Sequence, residues 1–154
     1  MIVIIGCGNE LRKDDGVGVH VVSRLGNLPE ITSRPDIKLL AAGTNGIDII
    51  FQSVKYRQLI IVDACLSNSK PGTIFVIPGE EIETKREPSH TLHDFRWDHA
   101  ISAGRLMFPE TFPTSITAYL IEAELCTFDT ELSSSVNAAA NRVVELIVAT
   151  LKND

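Results

Sequence analysis

Apolar residues along this chain alternate between two rhythms. Short apolar segments recur at residues 2–5, 37–41, 59–62, 73–77 and 116–121, most of them nearly continuous in Ile, Val and Leu. Such runs read as strands covered on both faces. Between them the apolar spacing changes to three and four residues. Val17, Val21, Leu25 and Leu28 share one side of a first helix starting around Asp15, and a short second helix runs from Ile47 to about Val54. Trp97, Ala100, Ile101, Gly104 and Phe108 mark a third. The last is the clearest, through Leu132, Val136, Ala139, Ala140, Val143, Ile147 and Leu151, with Ser133 or Ser134 as N-cap.

Strands alternating with helices predict a three-layer α/β/α sandwich around a mostly parallel sheet of about five strands. Residues 60–77 carry two strands with only about ten polar residues between them, too few for a helical crossover. One strand there is therefore expected to run antiparallel. Residues 78–92 are polar and charged and include Pro78 and Pro88, so an exposed loop is expected. No repeat or linker divides the 154 residues, which suit a single domain.

Composition narrows the class. With 44% hydrophobic and 22% charged residues the chain is ordinary for a folded protein. The formal net charge is −6 and no segment is conspicuously basic, which argues against a nucleic-acid partner. No apolar run approaches the ~18 residues of a membrane span. The opening Met1-Ile2-Val3-Ile4-Ile5 has no basic flank and is too short for a signal peptide core, so a cytoplasmic protein is expected. Cys7, Cys65 and Cys126 are odd in number and lack paired spacing, which predicts reduced thiols. Cys7 and Cys65 are read as small apolar packing residues.

In open α/β sheets ligands collect beyond the carboxyl ends of the strands. The first strand leads into Gly6-Cys7-Gly8-Asn9-Glu10-Leu11-Arg12-Lys13-Asp14-Asp15-Gly16-Val17-Gly18. A dinucleotide fingerprint would need glycine where Leu11 stands, and a phosphate loop would need Gly-Lys-Ser/Thr, so no nucleotide cofactor is expected. The loop offers instead the pair Asp14 and Asp15, either as helix caps or with Asp14 capping and Asp15 facing the crevice. Asp63 follows the apolar Leu59-Ile60-Ile61-Val62; a carboxylate there calls for a metal, a partner or a cap. His20 reads as a surface or edge residue, and His99 as lying on a solvated helix face. His90 and His93 precede the third helix, where an imidazole can be presented to the crevice; local features do not choose between them. Two carboxylates and an imidazole suit a divalent first-row metal with open positions.

Read together, these segments resemble the nickel-iron hydrogenase maturation endopeptidases. That family's opening Gly-x-Gly-Asn-x-Leu-x-x-Asp-Asp/Glu-x-x-Gly matches residues 6–18. Its Gly-Thr-x-Gly loop matches Gly43-Thr44-Asn45-Gly46, its strand-end Asp-Ala matches Asp63-Ala64, and its Pro-Gly-Thr step matches Pro71-Gly72-Thr73. The family's metal-contacting residues carry over to Asp15 and Asp63. Its histidine stands eight residues before an apolar helix position and twelve before an arginine. Counting back from Ile101 and Arg105 gives His93 both times. The stretch His93-Asp94-Phe95-Arg96-Trp97-Asp98 looks like the version found in proteases for uptake hydrogenases.

The resemblance implies a nickel-dependent endopeptidase that removes the C-terminal extension of a hydrogenase large-subunit precursor. The nickel belongs to the precursor, and Asp15, Asp63 and His93 would grip it. Gly43, Thr44, Asn45 and Gly46 are expected to form a substrate loop, and residues 78–92 to share in substrate selectivity. A monomer is expected. Two rival readings remain: a hydrolase holding its own zinc through the same three residues, and a nickel-sensing or chaperone-like module that binds the precursor without cutting it.

Overall fold

The computed structural model describes residues 1–82 and 97–153. Five strands form one sheet in the order β2-β1-β3-β5-β4. β1 (Ile2–Cys7) is flanked by β2 (Ile37–Gly43) and β3 (Gln58–Cys65), and β3 by β5 (Ser115–Glu122), all parallel. β4 (Ile74–Pro78) pairs antiparallel with β5. The short connection from β3 does return the chain in the opposite direction. β4 takes the outer edge, leaving the place beside β3 to β5.

Successive side chains of a strand point to opposite faces, and this alternation divides the core in two. Ile2, Ile4, Ile60, Val62, Tyr119 and Ile121 face one side, under α1 (Val17–Gly26) and α6 (Ser134–Asn153). Val3, Ile5, Leu59, Ile61, Ala118 and Leu120 face the other, against α3 (Gly46–Ser53) and α5 (Trp97–Met107). Each large side chain so buried contributes roughly 1.5–3 kcal/mol. The predicted sandwich is the observed one.

Three details differ from the pattern-based expectation. β2 and β4 are only half covered, because each lies at an edge of the sheet. The first helix starts at Val17, after a 3-10 turn over Lys13–Gly16, and ends at Gly26. Leu28 belongs instead to the entry of a short helix, α2 (Pro29–Thr32), whose Pro at the first position pre-sets the helical φ. Finally, the segment read as an exposed loop from Pro78 opens with a helical turn, α4 (Gly79–Ile82), whose Gly79 and Ile82 are buried. Among the described residues no helix is long and apolar enough to cross a membrane.

Close crossing of α1 over the central strands places the first loop. A Cβ on Gly18 would overlap the carbonyl oxygens of Val62 and Cys7, and one on Gly6 would overlap the carbonyl of Gly18. Only backbone fits between α1, β1 and β3. The 3-10 turn is thereby pinned at the carboxyl end of the two central strands.

Candidate active site

Gly6 stands opposite Val62 in the β1–β3 ladder, so β1 runs out beside Asp63. Asp63 is half-buried and lies within β3 rather than beyond it, because Ala64 and Cys65 continue the ladder to Ile121 and Glu122. Its Oδ1 accepts the Ala64 N–H at 2.8 Å. Burial raises the Cys7 thiol pKa well above its ordinary range, and the negative charge of Asp63 raises it further. Cys7 packs in the core below α3 and α5, and both effects favour its neutral thiol over the thiolate.

Beyond Cys7, Gly8 turns the chain with φ of 112°. Its N–H donates to the Gly43 carbonyl at 2.8 Å, which draws the end of β2 to the same rim. A Cβ there would overlap the Asp15 carbonyl, so Asp15 packs directly on the turn. Its carboxylate is half-buried and accepts the Asn9 N–H at 3.0 Å. The Asn9 side chain in turn accepts the Leu11 N–H at 3.0 Å. Asp15 and Asp63 are therefore both presented at the carboxyl end of β1 and β3.

Asp14 behaves quite differently from its neighbour. It is fully buried and accepts four hydrogen bonds: from Glu124 N–H and Leu125 N–H at 2.9 Å each, Ser133 N–H at 2.7 Å, and the Ser133 hydroxyl at 2.8 Å. The expectation that it caps its own helix is corrected: its partners lie more than a hundred residues away. Burial opposes its charge, but these N–H and O–H donors prevail and hold its pKa below the usual carboxylate range. Ser133 does stand at the cap position of α6, its carbonyl accepting Asn137 N–H, while its hydroxyl is turned to Asp14.

Two further residues escaped the sequence reading. Glu122, at the end of β5, is 2% exposed and accepts from the Ser67 N–H and hydroxyl, the Ser69 N–H and the Cys65 thiol. Burial opposes its charge, but the Ser67 hydroxyl and the remaining donors lower its pKa. Cys126 is brought to Asp15: burial raises its thiol pKa, the charges of Asp15 and Asp14 add to that, and the Arg12 charge and the Asp15 N–H partly offset them. Neither position was marked by local pattern.

Asn45, in the predicted substrate loop, caps α3 by accepting the Ile47 N–H at 3.1 Å. Gly43 beside it is left-handed, with φ of 56° and open space where a Cβ would stand. His20 is half-buried on α1, with Nε2 enclosed and without a hydrogen-bond partner, and His99 is exposed. His90 and His93 lie outside the described residues. Among the described residues no three of His, Cys, Asp and Glu are grouped to hold a metal.

The lowered pKa of Glu122 has a consequence for stability. Its folded pKa lies below the unfolded value, so its contribution is present at neutral pH and is lost as pH falls through the folded value. Urea unfolding at pH 7 and at about pH 3 should show a smaller acid-induced loss in Glu122→Gln than in the parent.

The fold and these groups define a class: a three-layer α/β protein with paired carboxylates at the carboxyl ends of its central strands. The HycI hydrogenase maturation protease family model matches residues 19–150. The chain belongs to that family. It is 27% identical to the hydrogenase 2 maturation protease of Escherichia coli K12, over 98% of this chain and 90% of that one. The structure of the maturating endopeptidase HybD from E. coli superposes with a TM-score of 0.83 at 26% identity, covering 99% of this chain and 92% of the other. The chain is also 36% identical over 76 residues to the coenzyme F420 hydrogenase subunit delta of Methanothermobacter thermautotrophicus, an alignment spanning 47% of this chain and about half (48%) of that relative.

Proposed function

We propose that this chain is an endopeptidase that removes the C-terminal extension from the nickel-loaded large-subunit precursor of a nickel-iron hydrogenase, recognising the precursor's nickel through Asp15, Asp63 and His93. The observation that carries the reading is the presentation of Asp15 and Asp63 at one end of the central strands in a chain of this family. Nickel belongs to the substrate. With open positions it polarises the scissile carbonyl or activates water, and a carboxylate of the site takes the proton. The loop containing Gly43, Thr44, Asn45 and Gly46 reaches the same rim through the Gly8–Gly43 hydrogen bond and contacts the precursor.

The test is incubation of the purified chain with nickel-loaded and nickel-free precursor, followed by intact mass of the large subunit. The loaded precursor should lose its extension and the nickel-free one should stay whole. Binding without shortening would leave a chaperone-like module. Metal-dependent cleavage that persists on nickel-free precursor would favour a resident zinc. His93→Ala should abolish shortening while His90→Ala largely spares it; the opposite result would overturn the assignment of the histidine.

A further inference from the structure

Asp14 and Glu122 are the two fully enclosed acids among the described residues. Neither is paired with a cation there. Each is neutralised instead by N–H and O–H donors, and most of the donors are main-chain groups of loops at the site. Burying such a charge is costly, and an apolar residue would fill the same volume without that cost. What an apolar residue would not do is fix the backbone of a loop.

The two carboxylates act on one stretch of chain, the exit of β5. Glu122 begins it and clasps the turn after β3, two to six residues beyond Asp63. Ala123 N–H continues that join by donating to Cys65 carbonyl at 2.9 Å. Asp14 reaches the same stretch from the other side, gripping Glu124, Leu125 and Ser133, while its own N–H donates to Leu125 carbonyl at 3.1 Å. Lys13 N–H to Asp129 carbonyl at 2.7 Å and Asp129 N–H to Leu11 carbonyl at 3.2 Å extend the seam.

We infer that Asp14 and Glu122 are positioning residues, tying the Asp15 loop and the Asp63 loop to residues 122–133 so that the two carboxylates keep a fixed separation. The inference rests on the proposed function, since it gives that separation its purpose: two ligands meeting one metal from different loops. A shift of about 1 Å between such groups is enough to cost on the order of 100-fold in rate.

The test uses the full chain and nickel-loaded precursor, comparing Asp14→Asn and Glu122→Gln with the milder Ser133→Ala and Ser67→Ala. Circular dichroism gives the folded fraction of each, and shortening is followed at saturating and limiting precursor. Asp14→Asn and Glu122→Gln should lower kcat per folded molecule by more than about tenfold, with KM changed by less than about threefold. The serine variants should lower kcat severalfold. A purely structural role would lower the folded fraction and leave kcat per folded molecule intact; that result in the carboxylate variants overturns the inference while the proposed function stands. Should a carboxylate variant not fold, unchanged kcat in the corresponding serine variant overturns it equally. Failure of the unmodified chain to shorten the precursor overturns both readings.

Discussion

Asp63→Asn should leave the chain folded and slow precursor shortening by more than about 100-fold, since disturbing even the groups that orient a metal ligand costs about 10–100-fold. The amide keeps an acceptor for the Ala64 N–H, now 2.8 Å from Oδ1. The side chain is half-buried at the rim rather than sealed in the core. Its loss should therefore change stability by no more than about 1 kcal/mol. Under the proposed function, what disappears is the anionic oxygen that would meet the substrate's nickel. Asp15→Asn should fall in rate to a similar extent, with its amide oxygen still available to the Asn9 N–H. Intact-mass time courses give the rate and thermal unfolding gives the stability. A variant that is folded yet cuts at the parental rate would remove that residue from the nickel grip.

The contrast between Asp14 and Asp15 shows what a sequence conveys and what it conceals. The five strands are legible because short, mostly apolar segments of four to six residues, rich in Ile, Val and Leu, leave few alternatives. The antiparallel strand followed from the shortness of one connection. Asp63 stood out because an acid after Leu59-Ile60-Ile61-Val62 needs a physical reason. Asp14 had an ordinary local explanation, helix capping, and that explanation was wrong. Its donors come from Glu124, Leu125 and Ser133, and no spacing rule reaches across more than a hundred residues. Glu122 was hidden for the same reason: it looks like the polar end of a strand until the Ser67 turn folds over it. The edge strands were overrated as buried because edge position is a property of strand order, which periodicity does not contain. The 3-10 turn before α1 sits between Gly8 and Gly18, where only backbone fits, a tertiary circumstance that local spacing does not contain.

That crowding yields the largest effect on stability. Gly8→Ala and Gly18→Ala should each destabilise the chain by about 3 kcal/mol or more, from the combined cost of strain and overpacking. At Gly18 the new methyl would overlap backbone on two strands at once, Val62 on β3 and Cys7 on β1. Backbone of central strands has no rotamer to change, so α1 would have to lift from the sheet. At Gly8 the methyl would meet the Asp15 carbonyl, and the φ of 112° is one that L side chains rarely adopt. Gly26→Ala is the matched control: its Cβ would meet only the Leu39 side chain at 3.6 Å, an ordinary contact. It should be neutral or stabilise by up to about 1 kcal/mol through the unfolded chain. Guanidinium unfolding of the three variants tests the ordering. Because Asp15 rests on Gly8, Gly8→Ala should also slow precursor shortening more than its folded fraction explains. Stability loss without that excess would mean that the turn supports the fold alone and leaves Asp15 in place.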